Sequence, residues 1–381
     1  MPLKIKKKEP LIEIYRTQTR LAQTLSQRKI CFTSALLTAS GPVVLSVLLC
    51  ASTIAQPPAI GIMYLTKSDA LGNPPYDLSS DPGWTNTHVQ GVALRTQWSK
   101  IQPTEATFDW SFLDEGVALA AQHGKKVSVL ITAGVTTPEW VYAAGADKFQ
   151  VTTQAGPVMP MPLPWDPVFQ AKWGNVIRSF GQRYGGNPQL VYVVMGGSGR
   201  RAESYFVFTA EDQAKFDGLG GTDAWKAGVE WIVDEYAKHF PTTPFILDLG
   251  APVPTEQGQA ALSDVCAYAV GKYPSRFGVK SDGLAAGYGP NTFGAKEIQY
   301  LSPTATVGFQ MALPSKGEVD DNGNLVLDQS LAIGINLGAH FIEVYSGDCN
   351  DPIAVQALSQ AGAQLLGLTP PKVPGGLRIV P

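Results

Sequence analysis

Carboxylates and aromatic rings gather where short apolar runs stop, and their most pointed case is Glu203. It follows the run Leu190–Met195 through the glycine-rich stretch GGSGRR at 196–201. A second carboxylate, Glu343, lies inside the apolar run His340–Tyr345. Glycosidic cleavage requires two carboxyl groups across the scissile bond, one protonated and one ionised. Glu203 and Glu343 are the expected catalytic pair. Trp98, Trp140, Trp165, Tyr205 and Tyr345 are expected to wall a groove on which the apolar face of a sugar ring stacks. Arg95, Asp166 and Gln310 are expected to bond its hydroxyls. Asp248, Asp282, Tyr288 and Asp348 stand at further strand ends. Blander readings stay open: Glu203 pairs with an arginine on a solvated loop, and Glu343 is a buried partner of Arg95 or Lys280.

Other chemistries are poorly supplied. The four histidines, His88, His123, His239 and His340, form no His-x-x-x-His pair, so a zinc centre has no ligand set. A Ser-His-Asp arrangement would need His88 or His340 at unusual places. No Gly-x-Gly-x-x-Gly follows the first strand, and neither a phosphate loop nor a Gly-x-Ser-x-Gly elbow is present. The chemistry expected of the carboxylates requires no cofactor.

Positioning these groups falls to strand-like runs at Ala59–Leu65, Val89–Leu94, Val127–Thr132, Leu190–Met195, Phe245–Leu249, Phe277–Lys280, Thr306–Met311 and His340–Tyr345. Leu190–Met195 is apolar throughout, as a strand covered on both faces must be. Helical spacing recurs between runs, for example Trp110, Leu113, Val117 and Ala120 ahead of Gly124, and Trp173, Ile177 and Phe180 within 169–184. Eight strands alternating with helices across 59–366 predict one α/β domain, a (β/α)8 TIM barrel, whose C-terminal rim carries the chemistry. Residues 136–145 read as a rim loop. PVMPMPLPWDP, at 157–167, has too many prolines for a helix or an inner strand and reads as a stiff wall.

The chain of 381 residues is 44% hydrophobic and 16% charged, with 39 Gly and 29 Pro. That composition suits a large core with many turns. Residues 1–30 hold eight Lys or Arg against Glu9 and Glu13, a balance of +6, so the overall −3 leaves −9 on the remainder. A mildly acidic body has no general attraction for nucleic acid. After the basic segment, 30–55 is uncharged and ends in small residues, the three-part pattern of a secretory signal. Residues 1–55 are thus expected to direct export, to the periplasm or outside the cell, with the barrel in 56–381. The competing reading is a membrane anchor over 30–51, which Gly41-Pro42 interrupts. Cleavage would leave Cys266 and Cys349, either paired or as two buried thiols.

Five stretches carry a family resemblance: GVALRTQWSKIQPTEATFDWSFLD (91–114), GKKVSVLITAG (124–134), TPEWVYAAGA (137–146), PLPWDPVFQAKW (162–173) and MGGSGRRAE (195–203). Together the chain resembles the large clan of barrel glycoside hydrolases that keep an acid/base on strand four and a nucleophile on strand seven, nearest its beta-galactosidase-like and cellulase-like members. The resemblance implies an oligo- or polysaccharide substrate and assigns Glu203 as acid/base. Two departures stand out: a typical member has Asn-Glu directly at the strand end, and the nucleophile's place on strand seven is taken by Gln310. An amide is no carboxylate nucleophile. Either Glu343 substitutes, or Gln310 orients substrate in an altered mechanism, or the barrel binds glycan without cleaving it.

Overall fold

The computed structural model describes residues 57–66, 77–152, 158–201 and 209–368, all within the compact unit Thr53–Pro381. Expectations for residues 1–55, and for Glu203 and Tyr205, lie outside the described residues. In chain order the strands are β1 (Gly61–Leu65), β2 (Gly91–Gln97), β3 (Lys126–Thr132), β4 (Lys148–Thr152), β5 (Val158–Pro162), β6 (Leu190–Val194), β7 (Phe245–Asp248), β8 (Phe277–Leu284), β9 (Thr306–Met311) and β10 (Phe341–Tyr345). Eight of them close a parallel barrel in the order β1-β2-β3-β6-β7-β8-β9-β10, β10 returning to β1. These are the eight runs read from the sequence, and the fold is the (β/α)8 barrel.

Two segments depart from the sequence reading. Residues 136–145 are not a loop throughout, since Glu139–Ala143 forms a short helix behind Pro138. The proline-rich wall is half of an antiparallel ribbon, β4 against β5, in which Pro160 and Pro162 lie opposite Gln150 and Lys148. Prolines at alternate positions take their missing N–H groups from one side only, which a two-stranded edge tolerates and an inner strand does not. A helix at Phe293–Leu301, capped by the Thr292 hydroxyl, completes the crossover from β8 to β9.

The core has two parts. A large cluster fills the space between strands and outer helices, and a smaller one plugs the barrel: Ile60, Met63, Leu130, Tyr192, Val194, Ile246 and Phe341. Tyr192 and Phe341 stack there with ring centroids 4.4 Å apart. Cys266 and Cys349 are two buried free thiols. Among the described residues no helix is long and apolar enough to cross a membrane.

Candidate active site

Strand parity decides which polar groups enter the barrel. Phe341 and Tyr192 belong to the interior plug, so residues two positions further along their strands face inward as well. Glu343 does so on β10, in register with Gln310 on β9. On β8 the inward set contains Lys280 and Asp282, and Lys280 lies in register with Asp248 on β7. An apolar plug at the bottom thus gives way to a polar layer above it.

Lys280 is the hub of that layer. Its ammonium is 3.0 Å from Asp248 Oδ2 and 3.4 Å from Glu343 Oε2, and it also pairs with Asp282. The Tyr192 hydroxyl donates to Glu343 Oε1 at 2.8 Å. Burial alone would strip the proton from Lys280, but the charges of Asp248, Asp282 and Glu343 outweigh it and hold the amine well above its ordinary value. Burial, then the charge of Glu343, push the Tyr192 hydroxyl well above its own. Lys280, Asp248 and Glu343 are almost wholly buried, whereas the Asp282 side chain is 27% exposed.

Arg95, Ser128, Lys280 and Glu343 line one narrow crevice inside the barrel. Arg95 donates to the Thr66 carbonyl at 3.5 Å, while its buried Nε has no hydrogen-bond partner among the described residues. The Gln310 amide donates to the Tyr345 hydroxyl at 3.5 Å. Burial raises Tyr345; the positive charge of Arg95 opposes it and the negative charge of Asp282 adds to it. The structure puts Arg95 and Glu343 on one crevice with Lys280 and joins Gln310, beside Glu343 in register, to Tyr345; sequence reasoning offered Lys280 only as a partner for Glu343. Tyr192 was hidden in an apolar run. Its position two residues before Val194, on the face that also bears the plug, is the signal that could have found it.

The expected groove wall needs correction. Trp98 is 0% exposed; it donates to Gln102 Oε1 at 2.9 Å and packs edge-on against Trp140 and Phe169. A ring buried on both faces offers nothing to a sugar. Trp140 is half-buried and donates to the Gln102 carbonyl at 3.1 Å. Trp165, also half-buried, meets Phe216 edge-on. Asp166 is no hydroxyl binder: it caps the helix Pro167–Tyr184, accepting from the Phe169 N–H at 2.7 Å, and its other oxygen accepts from Asp147 N–H at 3.3 Å. Asp348 holds the loop after β9 by accepting from Ser315 and Lys316.

The chain leading toward Glu203 is pinned through Arg201's neighbour. The Gly196 carbonyl accepts from Trp173 Nε1 at 3.0 Å and the Ser198 carbonyl from Trp225 Nε1 at 2.8 Å. Gly197 has φ +96°, open to glycine without strain. The Arg200 carbonyl accepts from Val135 N–H at 2.9 Å and passes so close to Gly134 that a Cβ there would sit 2.2 Å from it.

A closed parallel barrel with a polar layer above an apolar plug is the architecture of barrel enzymes. Residues 85–214 match the beta-galactosidase family model of the glycoside hydrolases. That span is about a third of the chain and runs through Glu203. The fold is similar to the catalytic domain of beta-amylase from Paenibacillus polymyxa, at 12% identity and TM-score 0.54 over 81% of this chain and 98% of that one. It is similar also to the beta-galactosidase of the Antarctic haloarchaeon Halorubrum lacusprofundi, at 12% identity and TM-score 0.52 over 81% of this chain and 58% of that one. The chain thus spans less than two thirds of that beta-galactosidase. The resemblance to barrel glycoside hydrolases stands on the family match, and the likeness of fold agrees with it.

Proposed function

We propose that the protein hydrolyses O-glycosidic bonds of a saccharide, with Glu203 as general acid/base and the second carboxylate drawn from the group around Lys280. The observation that carries this reading is the family match over 85–214, which includes the strand-four loop bearing Glu203. The expected partner was Glu343, and the polar layer supports a carboxylate source at this end of the barrel. Arg95, Gln310 and Tyr345 are the groups placed to bond sugar hydroxyls. The barrel is proposed to act after export directed by residues 1–55; a mature N-terminus near Gln56 in protein from the native host is the expected finding, and a chain intact from Met1 in the membrane would favour the anchor.

A second reading, a saccharide-binding barrel without turnover, is favoured by Gln310 at the nucleophile's place and by Glu343 being engaged by Lys280 and Tyr192. A panel of aryl glycosides and polysaccharides separates the two. Turnover is expected, and Glu203→Gln is expected to lower it by about 10²–10⁴-fold while leaving ligand binding, because the amide keeps shape and loses proton transfer. Binding without turnover by the unaltered chain would sink the hydrolase reading.

A further inference from the structure

We infer that Asp282, on the sixth strand of the barrel, is the carboxylate that reacts with the anomeric carbon, with Lys280 as its positioning residue. The inference rests on the hydrolase reading and names the second half of that site. Four carboxylate or amide side chains compete for the role, and their surroundings separate them. Gln310 has no carboxylate. Asp248 is 0% exposed and sits beside Lys280. Glu343 is 3% exposed, with one oxygen receiving the Tyr192 hydroxyl and the other facing Lys280, so both oxygens are held inside the barrel. Asp282, with its side chain 27% exposed, is the most accessible of the three carboxylates.

Its position on β8 explains why. Lys280 and Asp282 share the inward parity, and two residues of a strand advance about 6.6 Å, toward the C-terminal rim where substrates meet a barrel. One flank of Asp282 is the Lys280 ammonium. The neighbouring Ser281 hydroxyl is tied to Tyr288 at 3.0 Å, which fixes the strand end where the β8–β9 register shifts between Ser281 and Leu284. Arg95, whose Nε has no hydrogen-bond partner among the described residues, and Asp282 both lie close enough to Tyr345 for their charges to act on it.

In the step this assigns, one Asp282 carboxylate oxygen forms a bond to the anomeric carbon as the bond from that carbon to the leaving oxygen breaks. The bonding pair goes to the leaving oxygen, which takes the proton of Glu203. Water then attacks the same carbon, gives its proton to Glu203, and the ester pair returns to Asp282. One water is consumed and nothing is oxidised or reduced. A pair acting in this way requires its carboxyl groups roughly 5–5.5 Å apart.

The test traps that ester. The full chain is incubated with a 2,4-dinitrophenyl 2-deoxy-2-fluoro-β-galactoside, digested, and its peptides are sequenced by mass spectrometry. The glycosyl group is expected on Asp282. A label on Glu343, Asp248 or any other residue, or inverted product from an aryl β-galactoside, overturns the assignment. Asp282→Asn should lower turnover of p-nitrophenyl β-galactoside at least about 10³-fold with binding of galactose retained, and azide should restore turnover to Asp282→Ala. Loss without azide rescue would mark Asp282 as merely structural. If Asp282→Asn does not fold, the trapping result on the unaltered chain still decides. Failures are distinguishable: turnover that Glu203→Gln abolishes, with the label elsewhere, keeps the hydrolase and removes Asp282, whereas no turnover and no label across the aryl glycosides removes both.

Discussion

The first four strands of the barrel and the last four are held by different forces. Around β2, β3 and β6 the rim is pinned by indoles: Trp98, Trp173 and Trp225 are wholly buried and each donates its ring N–H to a fixed acceptor. Around β7 to β10 the interior is instead organised by charge, with Lys280 among Asp248, Asp282 and Glu343. Aromatic pins fix a backbone and are indifferent to pH. A buried ion cluster fixes the orientation of reacting groups and fails if one charge is lost. Residues 85–214, which hold β2, β3 and β6, match the family model, and the charged layer around Lys280 lies beyond that span. The contrast teaches that the strands inside the matched span are fixed by aromatic packing, while the later strands are fixed by a local electrostatic arrangement.

The strongest way to break this comparison is Lys280→Met. Removing the cation takes the Lys280 charge from beside the buried Asp248 and Glu343, and the expected loss is about 3–5 kcal/mol at neutral pH, a large share of a domain's stability. In that variant the folded carboxylates take up protons more readily than the unfolded ones, so the deficit should shrink as pH falls from 8 to 5. Urea unfolding across that range checks it. A deficit independent of pH would mean that Lys280 contributes packing and not charge.

Trp98→Phe probes the other half. It leaves the buried Gln102 Oε1 without its donor and opens a small void beside Trp140 and Trp173. The expected loss is about 1–3 kcal/mol, constant between pH 5 and 8. A pH-dependent deficit here would erase the distinction between the halves.

The sequence showed the strands well and the site unevenly, for physical reasons. Apolar runs such as Thr306–Met311 are visible because a strand covered on both faces must be apolar, and the observed β9 has the same bounds. Glu343 and Gln310 stood out because a polar side chain within such a run demands a partner. Trp98 and Asp166 misled because burial and capping depend on tertiary neighbours: an indole after a strand looks alike whether it lines a groove or seals Trp173 and Phe169 beneath it. Asp166 precedes Pro167, a helix start by its own spacing, and that local signal outweighed its place near the rim. Asp282 sits beyond the expected end of its strand at Lys280; only the longer β8 gives it the inward parity.

The smallest expected effect concerns His340, at the base of β10 in the charge-organised half. Its backbone carbonyl accepts from both Ile60 and Gly61 N–H at 3.0 Å, and its Nδ1 accepts from Val307 N–H at 3.0 Å. The ring thus ties β10 to β9, while the backbone carbonyl ties it to β1, at the bottom of the barrel. Burial holds its pKa below the ordinary 6.5. Protonating Nδ1 would also set two N–H donors face to face, which works in the same direction. The unfolded chain therefore binds the proton first as pH falls, and the stability associated with the neutral ring is complete above about 6.5 and lost on descending from there to the lowered folded value. Carboxylates held low by their partners, such as Asp114 beside Arg183 and Asp234 beside Lys272, act in a separate window below about 4. His340→Asn keeps an acceptor for Val307 and removes the titration. Between pH 7 and 5 its urea midpoint should fall less than that of the unaltered chain, by a margin smaller than the Trp98→Phe effect, while near pH 8 the two should nearly coincide. Parallel curves throughout would show that the acid response of this half belongs to the Lys280 group alone.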